Sequence, residues 1–478
     1  MDKFLKNLGY AFVAQMISVL FSLIMYLLVP KVVGTIDYSY WQLFLFYISY
    51  AGFFHLGLVD GIYLQTGGKK YNELNFDEIG SQLRFMTIFQ FVIGLIFSII
   101  VFSISFEFNR KIVIFSSIIY ILIYCIENFL GFVLQAVNLT KEYSKAVIIE
   151  KTFCLFFTIL FVIFKVKSFK YYILLYCLSK IFNLIYLFCQ SNEIIFSRSI
   201  KFDKLFKIIK TNISIGCILM LSTVASNLIL GSGKMTIDAH WGIEEFGKIS
   251  FSLSIINIIL LFIRQISMVL FPALKTIDDE SKINYYESIK RILIVCLPLV
   301  YLAYLPMKVI LELWIPDYFQ SIAYLSLFLP LCVFDCKMQV LSNTYYKVFR
   351  KEKKLLVINI VIMMLALLLS IIGAFIIDNI NFVIYAMIFS VVIRSIIAEI
   401  ILDIDFNVFR IKNIFYTILE ILIAMIFSYS SWNLSMTKFC LIIFISYSIY
   451  LIFNRSNVLF VFKYICNIFK KIGVVNGK

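Results

Sequence analysis

Apolar residues run in long unbroken blocks along this chain of 478 residues. The blocks fall near residues 8–30, 40–66, 83–105, 112–137, 146–164, 171–190, 211–233, 246–273, 291–313, 319–346, 355–377, 381–402, 413–430 and 438–454. Each can carry an α-helix through a hydrocarbon layer about 30 Å thick, since a helix rises about 1.5 Å per residue. Polar and apolar positions do not alternate inside the blocks, which excludes a transmembrane β-barrel. The pattern therefore predicts an all-α polytopic membrane protein of about 14 transmembrane helices. The first block is long, lacks a small-residue cleavage site and is followed by another span, so it reads as a helix that stays rather than a removed signal peptide.

Composition agrees. Hydrophobic residues make up 62% of the chain, against roughly 45–50% in soluble domains, and mean hydropathy is +0.96. The net charge of +15 would suit nucleic acid, but its placement points to the bilayer. With both termini cytoplasmic, most of the lysines and arginines fall on cytoplasmic segments, as the positive-inside rule requires. One outer connection disagrees, because Lys165, Lys167 and Lys170 cluster there. The expectation is a multi-pass membrane protein with both termini cytoplasmic and no nucleic-acid partner. The ten cysteines sit almost wholly in apolar stretches without zinc-ligand spacing, so free thiols are expected, with no metal and no cofactor.

The chain reads as two related halves. Gly34-Thr-Ile-Asp37-Tyr38-Ser39 enters the second span, and Gly242-Ile-Glu-Glu245-Phe246-Gly247 enters the eighth. Lys141-Glu142 follows the fourth span and Lys351-Glu352 the tenth, so the two matches share offsets of 208 and 210 residues. An offset of six spans keeps both copies in one orientation, related by a pseudo-two-fold axis along the membrane normal. The expected organisation is an N-terminal lobe (1–190), a basic cytoplasmic linker (191–210), a C-terminal lobe (211–402), two extra helices (403–454) and a basic amphipathic tail (455–478). In the linker, Lys201, Lys204 and Lys207 recur as on one helix face against anionic lipid. In the tail, Val458, Phe462, Ile465 and Phe469 have interfacial-helix spacing among Lys463, Lys470 and Lys471.

A charge at the centre of a bilayer costs roughly 2.5–3.5 kcal/mol on insertion scales, so intramembrane cations should face a cavity or a partner. Four stand out: Lys180, Arg264, Lys337 and Arg394. Arg264 interrupts the apolar stretch from Ile255 and is a candidate to chelate phosphate oxygens; the bland reading is a structural pair with Glu127 or snorkelling. Lys180 and Arg394 are further candidates for an anionic substrate, and Lys337 is weaker because Asp335 and a helix end are close. Asp60, in His55-Leu-Gly57-Leu-Val-Asp60-Gly61, reads as a coupling carboxylate or an ion-pair partner, with glycines that allow close packing or a helix break. Glu127 reads as a cavity residue or a partner of Arg264; Glu420 is a further intramembrane acid. Enzyme signals are absent: Gly67-Gly68-Lys69-Lys70 lacks the rest of a P-loop, and Asp238, His240 and Glu244 read as an ordinary hydrated loop near 234–245.

Several of these stretches resemble a known family. The segment from Tyr47 to Tyr71, Gln135-Ala-Val-Asn-Leu-Thr-Lys-Glu-Tyr143, Trp241-Gly-Ile-Glu-Glu-Phe-Gly-Lys248 and Phe271-Pro272 resemble bacterial capsular and O-antigen polysaccharide flippases. These share a superfamily with multidrug extruders and lipid II flippases. The resemblance implies two six-helix lobes in a V about a central cavity. It also implies alternating-access movement of undecaprenyl-diphosphate-linked oligosaccharide units, with membrane lipids and a polysaccharide polymerase as partners. It carries over no fixed binding positions. A drug/cation antiporter on the same fold and a membrane-embedded polymerase or ligase are the alternatives.

Overall fold

The computed structural model describes residues 2–275 and 277–475. It divides into two compact units, Met1–Phe251 and Ser252–Lys478. The first holds α1 (Asp2–Leu27), α2 (Val29–Val33), α3 (Thr35–Ile48), α4 (Leu58–Thr66), α5 (Phe76–Ser103), α6 (Phe108–Ala136), α7 (Thr140–Ile163), α8 (Phe169–Gln190), α9 (Asn192–Ile195) and α10 (Phe202–Trp241). The boundary falls within α11 (Ile243–Lys275). The second holds α12 (Asp279–Cys296), α13 (Leu299–Trp314), α14 (Phe319–Lys337), α15 (Thr344–Val348), α16 (Glu352–Ile371), α17 (Ile380–Asp405), α18 (Ile411–Asn433), α19 (Met436–Phe453) and α20 (Arg455–Val475). No strand occurs among the described residues.

Among the described residues twelve helices are long and apolar enough to cross a membrane, and counting each of two bent pairs as one span brings the number to fourteen. The chain is thus an all-α, multi-pass membrane protein. The bent pairs are α3 with α4, at 53°, and α12 with α13, at 40°. The first break has a local cause: Gly57 takes φ +80° just before α4, a conformation that costs glycine little. At the second, Pro298 stands at the N-cap of α13, where its missing N–H is harmless.

Within the first unit α6 is the central helix, packed by α3, α4, α5, α7 and α8, with Leu130, Val133 and Leu134 fully buried. Helix α4 lies against α10 at a glycine crossing. A Cβ on Gly61 would strike the Asn212 backbone, and one on Gly216 would strike the Gly57 carbonyl and the Gly61 amide. Small residues permit this backbone approach where lipid supplies no hydrophobic drive. In the second unit α14 takes the equivalent role, packed by α13, α17 and α18, while α20 lies on α12.

Corresponding backbone features recur along the chain. Gly34 (φ +85°) precedes α3 and Gly242 (φ +86°) precedes α11. Asn138 (φ +62°) and Arg350 (φ +52°) end their helices in the left-handed region. Each is followed by an amide that reaches back five residues, Leu139 to Leu134 at 2.8 Å and Lys351 to Tyr346 at 2.7 Å. That is the Schellman arrangement of a helix C-terminus.

Two connections differ from the sequence reading. The latter part of the basic linker, residues 202–210, forms the first turns of α10, a continuous helix of 40 residues. At that length α10 extends about 60 Å, roughly twice the hydrocarbon thickness. No proline lies between Lys201 and Trp241, and Gly216 and Gly231 sit against neighbouring side chains and backbone. For the same reason the expected hydrated loop near 234–245 is largely helical, reduced to the turn at Gly242.

Candidate functional site: buried ion clusters and unpaired cations

Charged side chains that hydropathy cannot accommodate singly come together in each unit. In the first, Lys180 on α8 sits 2.8 Å from Glu127 Oε2 on α6 and 2.9 Å from Glu150 Oε2 on α7. Asn183, one turn on along α8, donates to Glu127 at 3.0 Å and to Glu150 at 2.6 Å. Lys151 completes the set 2.8 Å from Glu150 Oε1, with its ammonium 5.2 Å from the Phe21 and Tyr176 ring centres. Glu150 is 1% exposed, so the charges survive only because each has a partner.

The second unit builds a larger cluster. Lys290 on α12 lies 2.8 Å from Glu399 and 2.6 Å from Asp403, one turn apart on α17. Lys337 on α14 bridges Glu399 and Glu420 on α18, both at 2.8 Å. Tyr286 and Asn413 donate to Asp403 at 2.8 and 3.0 Å. Beside it Arg394 on α17 lies 2.6 Å from Asp335 on α14, which also accepts from Gln339 at 2.6 Å.

These contacts correct several expectations. Glu127 is the partner of Lys180 and not of Arg264. Lys337 pairs with Glu399 and Glu420, because Asp335 is occupied by Arg394. Lys180 and Arg394 each pair with carboxylates of their own unit. Asp60 stands in the first turn of α4, 4.0 Å from the His55 ring, where the helix N-terminus favours a carboxylate. Arg264 is exposed on α11 and has no carboxylate within 4 Å among the described residues.

Several charged residues escaped the sequence reading. Lys151 and Glu150 are adjacent in an apolar run; Glu399 and Asp403 are four apart, a spacing that puts both on one helix face. Those signals were legible. Lys290 looked like a loop residue because it sits at the edge of its run. Lys234, at the edge of the expected loop near 234–245, lies well within α10, its ammonium 5.2 Å from the Phe46 ring centre and 5.0 Å from that of Phe246. No carboxylate lies within 4 Å of it among the described residues. Arg110 and Asp238 form a bidentate pair at 2.6 and 2.7 Å between α6 and α10.

No protein-family model matches the chain, and no curated protein matches it. Solved structures do. The fold is similar to that of lipid II flippase MurJ in an inward closed conformation, at 13% identity and TM-score 0.61, covering 95% of this chain and 98% of that one. It is also similar to a multidrug resistance MATE family transporter of the MOP superfamily in an inward-facing conformation (11%, 0.58, 84% and 98%). A third similarity is to MATE in complex with MaL6 (11%, 0.53, 85% and 96%). At these identities the likeness establishes the fold.

Proposed function

We propose that this protein is a flippase that moves polyprenyl-diphosphate-linked oligosaccharide units across a bacterial cytoplasmic membrane by alternating access, with both termini cytoplasmic. The observation that carries this reading is the near end-to-end fold match to a lipid II flippase, which takes in 95% of this chain against 84% for the multidrug transporter. In this reading the lobes and flanking elements divide at 1–190, 191–210, 211–402, 403–454 and 455–478. An exposed guanidinium on an apolar helix is suited to a diphosphate, which it can bind through paired hydrogen bonds, and Arg264 fills that role. Arg394 is a further cation for the diphosphate, Asp60 is a carboxylate through which coupling acts, and Lys180 with Glu127 is the ion pair that holds α8 to α6 as the helices move. The oligosaccharide then passes to a polymerase for capsule or O-antigen synthesis.

A strain lacking this protein tests the reading. It should accumulate lipid-linked repeat units on the cytoplasmic leaflet and lose surface polysaccharide. Single repeat units displayed on the surface would instead indicate a polymerase, and drug sensitivity with normal polysaccharide an antiporter.

A further inference from the structure

One pocket in the second unit lies outside the transport reading. It is an open cavity of about 160 Å³ where the second half of α12, the connection from α17 to α18 and the start of α20 meet. Its lining carries four cationic side chains, Lys290, Arg291, Arg410 and Lys412, against two carboxylates, Glu287 and Asp403. The charges are not used equally. Asp403 is saturated by Lys290, Tyr286 and Asn413. Glu287 is shared by two guanidinium groups, Arg291 and Arg410, each at 3.6 Å. Those distances are long beside the 2.6–2.9 Å of the buried pairs, and they leave guanidinium N–H groups open to a better acceptor. Lys412 is exposed, with no carboxylate within 4 Å among the described residues. The surplus positive charge calls for an anion with several oxygens.

A second, apolar groove opens from the same place. It runs between α17 and α18 along Ile396, Ile400, Ile414, Ile418 and Ile421, and it shares Asp403 and Asn413 with the basic pocket. Ile414 and Ile418 are 40% and 48% exposed. A cationic pocket continuous with an apolar groove matches a phosphate head carrying an acyl chain. Helix α20, whose Ser456 and Asn457 line the pocket, also carries exposed Leu459 and Phe462, as on a helix lying in a membrane interface.

We infer that this pocket and groove form a binding site for an anionic phospholipid, its phosphodiester held by Arg291, Arg410 and Lys412 and an acyl chain laid between α17 and α18. The site is distinct from the proposed transport path, so its test is independent of flipping. The purified full-length protein in neutral detergent is titrated with phosphatidylglycerol, phosphatidylcholine or inorganic phosphate, followed by native mass spectrometry and thermal unfolding. Phosphatidylglycerol should give bound-lipid adducts and raise the unfolding temperature, and the other two should do neither. Arg410→Ala with Lys412→Ala should weaken phosphatidylglycerol binding by about tenfold or more, at about tenfold per 1.4 kcal/mol. Ile418→Trp, which fills the groove and leaves every cation in place, should weaken it as well. Equal binding of the two lipids, the same stabilisation by inorganic phosphate, or undiminished lipid binding by the double variant would each overturn the assignment.

Discussion

In the first unit Lys151 and Lys180 meet Glu127 and Glu150, two cations to two carboxylates, with Asn183 donating to both acids. In the second, Lys290 and Lys337 face three carboxylates, Glu399, Asp403 and Glu420, and the Oε1 of buried Glu420 has no hydrogen-bond partner. The first cluster is closed: its members come from α6, α7 and α8, and an aromatic group including Phe21, Tyr124 and Tyr176 covers its lysines. The second leads through Asp403 into the polar pocket at the start of α20. A balanced cluster acts as a fixed clamp among helices, because removing any one charge strands another in a low-dielectric interior. A cluster with a surplus acid tolerates the loss of that acid and remains joined to the surface. The same residue types therefore serve differently in the two units, and the difference lies in stoichiometry.

The largest expected effect lies in the balanced cluster. Lys180→Met leaves Glu127 with no cation and Glu150 with only Lys151, and should destabilise the protein by about 3–5 kcal/mol. Thermal unfolding and folded yield in detergent measure this, and an unchanged transition would show that Lys180 is not the clamp. Next comes a matched pair of substitutions. Glu127→Gln should cost about 3 kcal/mol, because it leaves two lysines with one carboxylate, whereas Glu420→Gln removes the surplus acid and should cost less than about 1 kcal/mol. Equal losses for the two would dissolve the contrast between the units.

The spans and their number were legible in the sequence, because a 20-residue apolar run has few other fates. The break at Gly57 falls among glycines that allow one, whereas the bend at Pro298 lies inside what reads as a single apolar run. The glycine crossing of α4 on α10 was half visible: Gly57 and Gly61 announced a close approach, but nothing in the sequence named Gly216 as the other side. Ion partners were the least legible part. Glu127 reads in the sequence as a possible partner of Arg264, and its pairing with Lys180 instead follows from the packing of α6 against α8. Lys234 was hidden by a boundary error, since α10 continues past the apolar run as helix and carries that lysine between two phenylalanine rings.

Arg264 is the opposite of the clustered charges, exposed and without a carboxylate, so Arg264→Ala should change stability by no more than about 0.5 kcal/mol. Its effect should appear in transport. The most direct measurement reconstitutes the full-length protein in lipid vesicles and follows transfer of a fluorescent polyprenyl-diphosphate-linked oligosaccharide between leaflets. The account predicts translocation by the wild-type protein and a slowing of about tenfold or more by a folded Arg264→Ala variant, the loss of one charge-assisted diphosphate contact. Absence of translocation by the wild type, or equal rates for the two proteins, would contradict it.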